Sequence, residues 1–88
     1  MNTPLSVNMA FYLEKDWKRF LESIDDRESM HETWKEWHKS YLKAKKELVE
    51  QGLNAVDVVI DIDELTAYCL ARGIKNDGKA RSQFVAKR

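Results

Sequence analysis

An 88-residue chain makes one domain, with no room for a second. Hydrophobic residues are 43% and charged residues 34%, a balance that buries a modest core and excludes both a disordered tail and a membrane protein. Fifteen Lys and Arg offset fifteen Asp and Glu, so no whole-molecule field draws the chain to nucleic acid or an anionic membrane, and an electrostatic partner must meet a local patch.

The single cysteine, Cys69, rules out an internal disulfide framework and a Cys-rich zinc site, and it fits a reducing compartment, with the cytoplasm as the expected location. Residues 1–13 carry no basic stretch, and Glu14, Lys15 and Asp16 follow too soon for a signal peptide or a spanning helix.

In chain order, Ala10, Leu13, Trp17, Phe20 and Ile24 fall in steps of three and four, which predicts a helix from about Ser6 to Ser23. Asp25 to Ser29 breaks that pattern, and Ser29 with Glu32 has the spacing of a capping box. A second helix is expected over 29–51, with Met30, Trp34, Trp37, Tyr41, Ala44 and Leu48 as its apolar side and Gly52 as its terminator. Two such helices joined by a short loop predict an antiparallel hairpin over residues 6–51, its seam filled by the three tryptophans.

After Gly52 the apolar period changes to two. Val56, Val58 and Ile60 alternate with Asp57 and Val59, which predicts a short strand over 56–60. A lone strand leaves its backbone groups without partners. Either Val56, Val58 and Ile60 pair across a self-association surface, or the segment is an extended connector. Asp61 and Glu64 repeat the capping spacing, so a third helix is expected over 62–72 before Gly73, and Asn76 and Asp77 predict a fourth over 77–88. The expected architecture is mostly α: one small domain, 1–88, with a helical hairpin at 6–51 and a helix–loop–helix subdomain at 61–88.

Several stretches approach known chemistry and fall short. Gly73 to Lys79 matches the start of a phosphate-binding loop, but Ala80 replaces the Ser or Thr that holds Mg²⁺, and a helix precedes it rather than a strand. Val58-Val59-Ile60-Asp61-Ile62-Asp63 resembles the paired-aspartate strand of the haloacid-dehalogenase-like phosphatases, yet Glu64-Leu65 stands where Gly-Thr belongs, and helix capping accounts for the same aspartates. His31 and His38 share a helix face seven residues apart, an awkward span for one metal ion. Lys35, Lys39, Lys43 and Lys46 are interleaved with glutamates, as on a solvated face. No acid/base or nucleophile constellation emerges, so neither enzyme, cofactor nor small-molecule substrate is expected.

The C-terminal third carries one functional resemblance. Glu64-Leu65, Cys69-Leu70-Ala71-Arg72-Gly73-Ile74, Gly78-Lys79 and Phe84-Val85-Ala86-Lys87-Arg88 together resemble the SAP motif, a helix, extended-loop, helix module whose members commonly bind DNA. Independently of that resemblance, Leu65 to Arg88 holds six basic residues, Arg72, Lys75, Lys79, Arg81, Lys87 and Arg88, against one acid, Asp77. That excess suits salt-dependent phosphate contact and does not specify a base sequence. Two readings follow: a non-enzymatic interaction module whose partner is a protein or a second copy of the chain, or a nucleic-acid-binding protein using those six residues. No membrane partner is expected under either.

Overall fold

The computed structural model describes residues 5–87. Strand β1 (Ser6–Phe11) leads into α1 (Trp17–Ser23) and α2 (Trp34–Glu50); β2 (Asn54–Val59), α3 (Ile62–Arg72) and α4 (Gly78–Ala86) follow. Single 3₁₀ turns at Glu14–Asp16 and Arg27–Ser29 introduce α1 and interrupt the loop after it. The described chain is mostly helical, as expected, and no helix in it is long and apolar enough to cross a membrane.

The predicted first helix divides. Only its second half is helical, and residues 6–11 form a strand that pairs in parallel with β2, with Ser6 opposite Asn54 and Phe11 opposite Val59. The physical reason lies in β2, whose backbone groups need a partner. A parallel partner must come from beyond a long crossover, and residues 12–53 supply it. The leading limb of the expected hairpin is therefore short, and the main helical neighbour of α1 is α3.

Capping explains the remaining boundaries. α2 starts at Trp34, not at Ser29, because Thr33 and Glu36 make the reciprocal capping box: Glu36 N donates to Thr33 Oγ1 at 3.2 Å, and Thr33 N to Glu36 Oε1 at 3.3 Å. Asp61 Oδ1 accepts from Glu64 N at 3.0 Å to open α3, and Asp77 Oδ1 accepts from Ala80 N at 2.9 Å to open α4. Gly73 closes α3 at φ 62°, a left-handed conformation that suits glycine.

The sheet sits between helices. Phe11 meets Trp37, His38 and Tyr41 edge-on, and Tyr41 and Lys45 both reach Asp57, so α2 covers one face. On the other face Asn8 Nδ2 donates to Val85 O of α4 at 3.0 Å. One buried cluster runs from Tyr12 through Trp17, Phe20, Trp37, Ile60 and Leu65 to Phe84 and Val85, joining the N-terminal and C-terminal halves.

Candidate interaction surface

A two-stranded sheet has two outer edges, and the backbone geometry shows what each presents. Asn54 N donates to Leu5 O at 2.8 Å and Ile60 N to Phe11 O at 2.9 Å. Backbone polar groups alternate sides along a strand, so the odd residues of β1 turn theirs to β2, while Ser6 and Ala10 turn theirs to the opposite edge. Among the described residues no third strand runs along either edge.

The outer edge of β1 lies at the bottom of a groove of about 870 Å³. Trp37, Tyr41 and Leu48 of α2 form one wall, and Ser82, Val85 and Ala86 of α4 form the other; Met9 and Met30 add adaptable apolar surface. Arg81 also reaches this groove, but its charge is already met. Its guanidinium donates to Asp26 through both nitrogens, at 2.9 and 2.7 Å, and to Asn76 O at 3.0 Å. The hydrogen bond and charge of Arg81 hold the Asp26 carboxyl below its ordinary value. Burial pushes the neighbouring Tyr12 hydroxyl up to about 12, so it stays protonated at neutral pH. What the groove offers is apolar contact and backbone hydrogen bonding without an uncompensated charge.

The six basic residues singled out in the sequence are not one patch. Arg81 is only 5% exposed, and its pairing with Asp26 makes it a structural residue, which corrects its assignment to a nucleic-acid surface. Lys75 and Lys79 are exposed and share a small cleft of about 300 Å³ with Ile74, Asp77 and Gln83. Arg72 lies over the Tyr68 ring at 3.8 Å from its centroid, and Lys87 approaches the same ring at 5.8 Å. Arg88 lies outside the described residues.

The proposed self-association residues also separate. Ile60 is 2% exposed and belongs to the core, Val58 is half-buried against it, and Val56 alone is exposed. The strand they form pairs within the chain, so it neither stands alone nor is a mere connector. At its centre Asp57 accepts from the Tyr41 hydroxyl and from Lys45 Nζ at 3.0 Å, and these contacts lower its carboxyl pKa. His31 and His38 do not converge: His31 Nε2 lies 3.1 Å from Ser40 Oγ, and His38 stacks on Trp34. Among the described residues no three His, Cys, Asp or Glu side chains cluster as metal ligands would.

The groove itself was not legible in the sequence. The signal that exposes it is the alternation of Val7, Met9 and Phe11, which overlaps the helical spacing of Ala10 and Leu13. The chain matches no protein-family model, no curated protein and no solved structure, so the functional reading starts from this geometry.

Proposed function

We propose that the chain is a non-enzymatic protein-interaction module that takes an extended segment of a protein partner along the outer edge of β1. The groove carries the reading. Its floor presents backbone groups of Ser6 and Ala10 in the spacing that an added strand matches, and its walls from α2 and α4 are largely apolar. The one charged wall residue, Arg81, is compensated by Asp26. The fitting segment is therefore extended, with uncharged apolar residues at alternate positions turned into the groove.

Selection of displayed random peptides on the full chain tests this. Enriched peptides should share the alternating apolar pattern, and Ser82→Arg or Ala86→Arg, both at exposed wall positions, should abolish their binding. Enriched peptides indifferent to both substitutions, or no enrichment on a folded chain, would refute the groove as the site.

A second reading, nucleic-acid binding, is favoured by the exposed pair Lys75 and Lys79 at the α3–α4 loop and by the resemblance of residues 61–88 to the SAP motif. It predicts that a DNA duplex at low salt shifts the amides of residues 72–79 and that Lys75→Glu with Lys79→Glu removes the shift. Binding unchanged by the double substitution sinks this reading.

A further inference from the structure

The groove along β1 gathers sulfur as well as apolar surface. Met9 stands on the strand and Met30 on the loop before α2; both line the groove, and they are all the methionines among the described residues. Each is half-buried and packed against the core, with the groove as its approach from solvent. Cys69 is sulfur of another kind. It is 4% exposed, and burial, with the Asp25 and Asp77 carboxylates, pushes its thiol up, so at neutral pH it is protonated and shielded from solutes. Among the described residues, the oxidisable sulfur within reach in the folded chain is therefore that of the groove.

We propose that Met9 and Met30 are a modification site, at which oxidation by a peroxide closes the groove to an apolar ligand; this rests on the reading of the groove as an apolar binding site. In the step, a lone pair of the thioether sulfur attacks one peroxide oxygen and the O–O bond breaks. An S=O bond forms and the other oxygen leaves as water, so sulfur is oxidised and the peroxide reduced. Each product is a sulfoxide, a polar and chiral group where a flexible apolar one stood. The groove offers no uncompensated charge to that oxygen, and an apolar ligand brings no donor to it. Binding then strips the oxygen of water without replacing the hydrogen bond, which opposes binding.

Arg81 makes the two methionines unequal. Its Nη2 donates to Met30 Sδ at 3.7 Å, while the same nitrogen holds Asp26 Oδ2 at 2.7 Å. This contact engages one lone pair of the Met30 sulfur and leaves the other for the oxidant. The oxygen is therefore added on the side away from Arg81, and one of the two sulfoxide epimers should predominate at Met30. The change is reversible in kind, because sulfoxide reductases, one enzyme for each epimer, return the group to the thioether.

The test uses the full chain with Nile red, an uncharged apolar dye whose emission rises in an apolar site. Ala86→Arg, on the exposed wall of α4, should remove the rise and so locate the dye in the groove. After hydrogen peroxide, mass mapping should find sulfoxide at Met9 and Met30 and an unchanged Cys69, with the circular dichroism of the folded chain retained. Dye affinity should fall about tenfold or more, and the reductases should restore it, the two acting unequally at Met30. A variant carrying Met9→Leu and Met30→Leu, whatever its own starting affinity, should not respond to peroxide. Methionines that oxidise only in urea, an oxidised groove that keeps its dye, a double variant that loses dye as the native chain does, or loss of the folded spectrum would each overturn the inference. So would a dye signal in the reduced chain that ignores Ala86→Arg. A failed peptide selection with the dye response intact would instead refute only the reading of the groove as a peptide site.

Discussion

Breaking the Arg81–Asp26 pair tests whether a charge that the sequence places among surface contacts instead holds the fold together. The side chains are 6% and 19% exposed, and the contact is bidentate. Arg81 also bonds Asn76 O, which in turn accepts from Asp25 N at 2.9 Å, so one guanidinium joins the loop after α1 to the loop before α4. Asp26→Asn removes the countercharge and turns an amide donor toward a donor, leaving a buried cation without compensation. Such a loss costs about 3 kcal/mol, a large share of the roughly 4–13 kcal/mol that a chain of 88 residues commands. The melting temperature should fall by about 15 °C, read by tryptophan fluorescence or calorimetry. A double-mutant cycle of Asp26→Leu and Arg81→Met, each made singly and together, isolates the coupling, because the double variant removes both charges and should recover much of the loss of either single one. Single losses below about 0.5 kcal/mol, or additive ones, would refute the structural role.

Lowered pKa values at Asp26 and Asp57 mean that the native state binds fewer protons than the unfolded chain; their stabilisation is complete above about pH 4 and disappears as pH falls through the lowered native values. Urea midpoints measured from pH 7 to pH 2 should drop across that window, and Asp26→Asn should flatten the profile; a flat wild-type curve would count against both carboxylates. At Gly73, φ is 62° and an added Cβ would meet nothing within 4 Å, so Gly73→Ala carries only the backbone penalty, about 1–2 kcal/mol in a urea titration. Burial, reinforced by the Asp25 and Asp77 carboxylates, pushes the Cys69 thiol up, so a thiol reagent should label it slowly in buffer and rapidly in urea. Equal labelling rates would place Cys69 at the surface.

The parts of the fold that the sequence announces are those decided within a few residues. Asp61 with Glu64, Asp77 with Ala80, and Gly73 are local devices: α3 begins and ends, and α4 begins, where these residues direct, while the end of α4 at Ala86 has no such signal. What stays hidden is decided at long range. Residues 6–11 carry a helical spacing and a strand alternation together, and the choice between them depends on β2, 48 residues away at the Asn54–Ser6 contact. Ser29–Glu32 and Thr33–Glu36 offer the same capping pattern four residues apart, and the second prevails. Arg81 looks like its basic neighbours until Asp26, 55 residues upstream, meets it in the core. The three tryptophans are the converse case, since their regular spacing already marks them as interior: Trp17 and Trp37 are buried, and Trp34 Nε1 donates to Tyr12 O at 2.7 Å.

A two-stranded sheet is marginal alone and depends on what its helices cover. Here α2 lies across one face and α4 across the other, and side chains of both line the groove along β1. On the β2 side Val59 is exposed, and Lys45 of α2 reaches down to Asp57 of the strand. An exposed edge is a hazard for open-ended association unless something limits what may pair with it. On the proposed reading, the residues of α2 and α4 that line the groove leave the β1 edge room for a single narrow chain rather than a second sheet.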